Sequence, residues 1–461
     1  MKKSSGFVPG EAAEKKSETP PTQRQLFSLF LPLALSGIFF PLAPPVINAA
    51  LARTATPVVA LAAYGLIGSL SRPLISPLFS LRQITTALAR DRDMLRHIRN
   101  CSGLMSGASA ILLLVCCLPF VYRPLVEGIM GIPAEIARVG LPVLVVVATT
   151  PLLVVGRGYF QGILVHYGKA GPIGTGALAY LVGAAVIMWA GVLWTDVEGA
   201  LLAALALCGG QVAYLLLVWH PSRSLLEERV PAHSEEVGEE QRSGRYVFFF
   251  NLPLAISAVL ISAVEPAIQA GMARAPLAME SLAAYPVCLS LSWLAGTPLW
   301  NAQQVVIARV KGRSSFRAVR RFVLTLSLLL TLGMGLLCLP PSAEFIFGRL
   351  IGVSGTIKEL SIEGFRWLVL SPLLMGLRSL YYGTLISQNA TGPVRSAAIV
   401  RIAVLLATLV AGVWHGAMSG LLVAVWATLA SSAAEVLALH WATRRIAWRG
   451  VSSADGLRSG R

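Results

Sequence analysis

The stretch LPLALSGIFFPLAPPVINAALAR, Leu31 to Arg53, is written twice in this chain: 221 positions on, without a gap, stands LPLAISAVLISAVEPAIQAGMAR, Leu252 to Arg274. Leu31, Pro32, Leu33, Ala34, Ser36, Pro45, Ile47, Ala49, Ala52 and Arg53 recur as Leu252, Pro253, Leu254, Ala255, Ser257, Pro266, Ile268, Ala270, Ala273 and Arg274. Both copies are apolar over a length that crosses a bilayer. The same offset carries Leu61-Ala62-Ala63-Tyr64 onto Leu282-Ala283-Ala284-Tyr285, Pro77-Leu78 onto Pro298-Leu299, and Pro151 with Arg157 and Gly162 onto Pro372 with Arg378 and Gly383. Gly171-Pro172 and Gly191 return as Gly392-Pro393 and Gly412. The sequence is that of a duplicated membrane protein.

Composition agrees. Of 461 residues 55% are hydrophobic and only 13% charged, with mean hydropathy +0.70, a balance that marks an integral membrane chain. The net charge of +16 comes from short basic clusters between apolar spans, so topology accounts for it better than nucleic acid does. Cys101, Cys116, Cys117, Cys208, Cys288 and Cys338 lie mostly inside apolar spans without metal-type spacing, which excludes a disulfide framework as their purpose.

A helical span needs about 20 apolar residues, and by that rule the sequence predicts an all-α polytopic fold of twelve spans. An N-terminal tail, 1–24, precedes a first lobe, 25–220, with spans at 26–51, 57–81, 101–122, 138–165, 171–194 and 198–219. A charged linker, 221–245, leads to a second lobe, 246–443, with spans at 246–272, 279–307, 321–340, 362–387, 393–414 and 418–442, and a basic tail, 444–461. Arg82, Arg90, Arg92, Arg96 and Arg99 crowd one loop, and Arg309, Lys311, Arg313, Arg317, Arg320 and Arg321 its counterpart, while the opposite loops are poor in cations. Both termini are therefore expected on the cytoplasmic side of a cell (inner) membrane. An even number of spans per repeat makes the lobes parallel, related by a pseudo-twofold axis along the membrane normal with a cavity between them. Prolines inside the spans, Pro32, Pro41, Pro44 and Pro45 in the first, Pro253 and Pro266 in the seventh, Pro151 and Pro372 in the fourth and tenth, predict bends that shape the cavity walls.

Charge within the bilayer is the sharpest functional signal, because a charged group at mid-membrane costs at least roughly 2.5 kcal/mol. The candidates are Arg72, Arg157, Glu265, Arg366, Arg378, Arg395, Arg401 and Glu435. Arg366 and Arg395 read as groups near span ends that reach the interface, and Glu435 reads either as such a group or as a functional charge within the bilayer. Arg157 and Arg378 are repeat partners six residues after partner prolines. They admit two readings: forks for an anion in a shared cavity, or caps for carbonyls that the prolines set free. Glu265 likewise reads either as the acid that couples transport to H+ or Na+ or as a counter-charge for one of the arginines. Asn48 and its partner Gln269, with Tyr64 and Tyr285 on the following spans, add uncharged polar groups to the candidate substrate site formed with Arg72, Arg157, Arg378 and Arg401.

With twelve spans in two parallel repeats and a charged loop between them, the chain resembles the multidrug/oligosaccharidyl-lipid/polysaccharide (MOP) flippase superfamily, which includes the MATE exporters. Within it the likeness is to the progressive ankylosis (ANK) proteins, through LAAYG at Leu61 to Gly65, AAYPV at Ala283 to Val287 followed by Trp293, and the set Pro372, Arg378, Gly383, Arg401 with Ile402. The resemblance implies export of anionic metabolites such as pyrophosphate, citrate or nucleoside triphosphates, with Arg378 and Arg401 at matching positions. Arg157 has no such match and rests on the internal repeat. MATE exporters typically use acidic residues in the first or seventh span; here the first span has none and the seventh only Glu265.

The reading is therefore a secondary, alternating-access exporter of a small anion, monomeric, with the bilayer, the anion and a coupling ion as its partners and no nucleic acid. The alternatives are a flippase for a lipid-linked sugar and a cation-coupled multidrug exporter. A membrane-embedded enzyme would need clustered nucleophiles or bases, and His97, His166, His220, His233, His415 and His440 are scattered. No catalytic residue, metal site or cofactor is predicted, and no GxxxxGK followed by Ser or Thr is present to hold ATP.

Overall fold

The computed structural model describes residues 21–89, 91–167, 169, 171–228, 230–231, 244–388, 390 and 392–445. Residues 1–20 of the expected tail 1–24, residues 229 and 232–243 of the expected linker 221–245 and all but the start of the basic tail 444–461 lie outside the described residues, as does Arg90. The described part is nearly all helix. The first copy runs α1 Gln23–Gly37, α2 Phe39–Leu51, α3 Pro57–Ile75, α4 Leu81–Leu88, α5 Arg92–Cys116, α6 Pro119–Arg123, α7 Ala134–Val147, α8 Thr150–His166, α9 Gly171–Trp194 and α10 Gly199–Glu228. The second runs α11 Gly244–Ser262, α12 Val264–Ala273, α13 Ala278–Arg309, α14 Arg313–Leu337, α15 Pro340–Ala343, α16 Gly355–Leu368, α17 Ser371–Ser387, α18 Gly392–His415 and α19 Gly420–Arg444. A tighter 3-10 turn, Ser76–Ser80, joins α3 to α4, and wider π-helical turns follow α6 and α15 at Pro124–Ile129 and Glu344–Ile351.

Prolines set the interruptions. A proline lacks the N–H that bonds the carbonyl four residues back, and its ring crowds that carbonyl. α1 ends at Gly37, four residues before Pro41; α7 ends at Val147, before Pro151; α11 ends at Ser262, before Pro266; α16 ends at Leu368, before Pro372. The first and seventh expected spans are thus each two shorter helices broken at Ile38 and Ala263. Ten other helical stretches among the described residues are long and apolar enough to cross a membrane.

Several boundaries differ from expectation: the second span continues helically to Leu88 and the tenth begins at Gly355, both beyond the expected 81 and 362. The third and ninth spans begin at Arg92 and Arg313, a full arginine-bearing turn or more before 101 and 321. Asp91 caps the first of these by accepting from the Met94 N–H at 2.7 Å, and arginine is a good helix former whose long stem lets the charge leave the apolar face. The sixth span runs on through Pro221 to Glu228, into the expected linker.

At the centre, α3 packs on α13 across the two copies. The repeated LAAY explains how: Leu61, Ala62 and Ala63 and Leu282, Ala283 and Ala284 are fully buried, and paired alanines let two backbones approach closely. Each broken helix straddles the two copies. α1 lies against α13 and α14 while α2 lies against α9; α11 lies against α3 and α5 while α12 lies against α18 and α19. Exposed apolar side chains on the outer helices, among them Leu104, Ile111, Leu328, Leu332 and Trp414, form the surface that lipid would cover.

Candidate functional site

Arg157 sits on α8, which restarts at Thr150 after the Pro151 interruption and so turns away from α7. It is a buried residue, 7% exposed. Its Nη1 donates to Gln211 Oε1 on α10 at 2.8 Å, and its guanidinium lies 5.1 Å from the Phe40 ring centre and 5.2 Å from that of Tyr214. Phe40 in turn stacks on Tyr180 at 4.7 Å. Its Nε has no hydrogen-bond partner. α8 can lie this close to α4 because Gly158 and Gly162 face Arg82 and Thr85.

Arg378 occupies the same place in the second copy, on α17 behind Pro372. It lies under Trp300 at 5.4 Å and Tyr382 at 5.0 Å, and its Nε donates to Glu435 Oε1 at 3.0 Å. The other oxygen of Glu435 accepts from Arg401 Nη1 at 3.1 Å. Glu435 is 2% exposed, and the two arginines hold its charge inside the bundle. Its offset partner, 221 residues back, is Tyr214, and that of Arg401 is Tyr180. Both flank Arg157, so the two copies fill the same pair of positions with an ion pair in one case and two tyrosines in the other. Each arginine makes its contacts within its own copy.

A third cluster spans the copies. Arg72 Nη1 on α3 pairs with Glu265 Oε2 on α12 at 3.1 Å, and Tyr285 stands beside Glu265. Tyr64 lies two turns before Arg72 on α3, within its electrostatic reach. Asn48 is buried on α2 and donates through Nδ2 to Pro286 O at 2.9 Å and Ser290 Oγ at 3.0 Å on α13. Gln269, buried on α12, lays its amide against Gly65 of α3, the offset counterpart of Pro286. Asn48 and Gln269 thus reach across in matching fashion, and Oδ1 of one and Oε1 of the other have no partner.

Two arginines singled out only as parts of the repeat close one end of the bundle. Arg53, just beyond α2, donates through Nη1 to Ile351 O at 2.6 Å and through Nη2 to Arg349 O at 2.7 Å and Leu350 O at 3.0 Å, in the π-turn of the other copy. Arg274, its offset partner beyond α12, donates through Nη1 to Met130 O at 2.6 Å and through Nη2 to Ile129 O in the first copy. These are terminal carbonyls that no helical N–H reaches, at the negative end of the helix. Gly131 and Gly352 follow at φ +70° and +87°. A side chain there would be strained by that φ and would press on the guanidinium, whose Cζ comes within 3.4 Å of a built Cβ in one case and 2.9 Å in the other.

No family profile and no curated protein sequence matches the chain. Solved structures do match in fold. An inward-facing multidrug-resistance MATE family transporter of the MOP superfamily superposes with TM-score 0.63 at 17% identity, over 91% of this chain and 100% of that one. The MATE multidrug transporter DinF-BH in complex with R6G gives 0.64 at 14% identity, over 94% and 98%. The lipid II flippase MurJ in an inward closed conformation gives 0.63 at 12% identity, over 91% and 87%. The fold is like that of these solved transporters.

Proposed function

We propose that this protein is a secondary, alternating-access transporter of an anion, built as two six-span repeats about a pseudo-twofold axis along the membrane normal. The observation that carries the reading is one arginine per copy beneath aromatic rings at matching positions of a MOP-type bundle, Arg157 buried and Arg378 partly buried. A guanidinium is always charged, and its planar fork matches carboxylate and phosphate. With both termini in the cytoplasm, the end held by Arg53 and Arg274 faces outward, so the conformation is closed to the outside and transport requires both clasps to open. Glu265, paired with Arg72 between the copies, is placed to couple that opening to H+ or Na+. The ANK-like reading adds small anionic metabolites, such as pyrophosphate, citrate or a nucleotide, as substrates.

A lipid-linked sugar pyrophosphate offers the same charge, and the fold shared with MurJ favours that second reading. Unfolding of the purified protein in the presence of citrate, pyrophosphate, ATP, a cationic dye and a lipid-linked sugar pyrophosphate separates the two, because a ligand of the folded state raises its apparent stability. Stabilisation by small anions, with uptake in proteoliposomes that falls at least tenfold in Arg378→Ala, supports the exporter. Stabilisation by the lipid-linked ligand alone makes the protein a flippase, and a response to the dye alone ends the anion reading.

A further inference from the structure

The two arginine pockets are built on the same helices and neutralised differently. In the second copy Arg378 and Arg401 share the Glu435 carboxylate. In the first copy the positions of Arg401 and Glu435 are held by Tyr180 and Tyr214, so the carboxylate is missing. No acidic residue occurs anywhere in α2, α3, α8 or α9, and α10 carries none before Glu227 at its far end. Glu265 of the other copy is paired with Arg72. Arg157 is left with one neutral partner, Gln211, two ring faces and an Nε with none, while Arg82 adds a second positive charge within electrostatic reach.

A guanidinium more than nine-tenths buried inside a membrane bundle needs a counter-charge. Ring faces attract the cation but carry no net charge. The chain supplies the charge in one copy and omits it in the other. We propose that the Arg157 pocket binds a small monovalent anion, of halide or short-carboxylate size, in the place that the Glu435 carboxylate fills in the second copy. The unpartnered Nε of Arg157 is the donor available to it, with Tyr180 beside the guanidinium and Tyr214, whose hydroxyl is hydrogen-bonded to Gln161, as the flanking groups. The proposal deepens the anion reading of this side chain and makes the two pockets unequal: the second holds its own anion, the first takes one from solution.

The test uses the full chain purified in detergent with gluconate as the only small anion, titrated with bromide or formate at constant ionic strength while thermal unfolding is followed. The wild type is expected to show a saturating rise in midpoint that Arg157→Gln lacks. Tyr214→Glu, which keeps the arginine and places a carboxylate where Glu435 stands in the other copy, is expected to unfold independently of either anion. Glu435→Gln is expected to gain a second saturating response. A wild-type midpoint that does not move with either anion, or a response that persists unchanged in Tyr214→Glu, overturns the site. Its failure is distinct from failure of the transport reading: a bromide response that Tyr214→Glu abolishes, in a protein that moves no anion in proteoliposomes, keeps the site and ends the exporter.

Discussion

At the clasped end of the bundle Arg53 and Arg274 grip matching carbonyls of the opposite copy, each guanidinium reaching into a π-turn that ends at a positive-φ glycine. In the interiors of the copies the matching arginines have parted company, Arg157 among tyrosines and Arg378 with a carboxylate and a second arginine. The clasps are made of backbone, which both copies present alike. The pockets are made of side chains, which a substitution at one position can change without disturbing the helices. Symmetry is thus kept in the backbone clasps and lost in the side-chain pockets, one of which contains a carboxylate while the other does not.

The largest effect is expected where charge is densest. Glu435→Ala leaves Arg378 and Arg401 facing each other without their shared acceptor, and removing one partner of a buried ion pair costs about 3–5 kcal/mol. Tyr214→Ala at the matching position removes a ring from Arg157 but no net charge, so its loss in chemical unfolding should be the smaller of the two. Equal losses would show that the two pockets are energetically the same and that the comparison is only one of residue names.

The clasps come next. Hydrogen bonds to a charged group are worth about 1.5–3 kcal/mol net, and Arg53→Ala and Arg274→Ala should each lose on that order, by similar amounts. Lysine at either position should restore little, because one ammonium cannot fork to adjacent carbonyls. A silent variant on one side would make the closure one-sided and remove the mechanical symmetry.

Much of this was legible in the sequence because the duplication is written in it. The offset of 221 aligns α5 with α14, α8 with α17 and α9 with α18 end to end, and the proline at each interruption could be read as a helix stop. What could not be read is which residues meet across the copies. Arg53 looked like one loop charge among few, since nothing local says that its carbonyl partners lie some 300 positions on, at Arg349 to Ile351. Glu435 could be read either way because hydropathy gives depth along a helix and says nothing about which neighbour it faces. The shared cavity expected for Arg157 and Arg378 assumed that both point at the axis, while their contacts lie inside separate copies. Helix rotation about its own axis is set by packing, as the Gly158 and Gly162 approach to α4 shows, and packing is not local in sequence.

The smallest structural effect and the most informative functional one belong to the pair that breaks the symmetry between the copies, Arg72 with Glu265. Glu265 has Pro44 as its offset partner and Arg72 has Trp293, so no second ion pair balances it. The Arg72 side chain is 49% exposed and that of Glu265 19%, which puts the pair in the class of solvent-screened bridges worth about 0–1 kcal/mol. Glu265→Gln should therefore leave unfolding nearly unchanged. If Glu265 carries the coupling ion, the same variant should still exchange substrate across proteoliposomes at equilibrium yet fail to accumulate it against a gradient, because an amide neither gains nor loses a proton and offers sodium no charge. Accumulation equal to wild type under the same ion gradient would reduce Glu265 to a counter-charge for Arg72, and the driving force would then have to act on the anion itself.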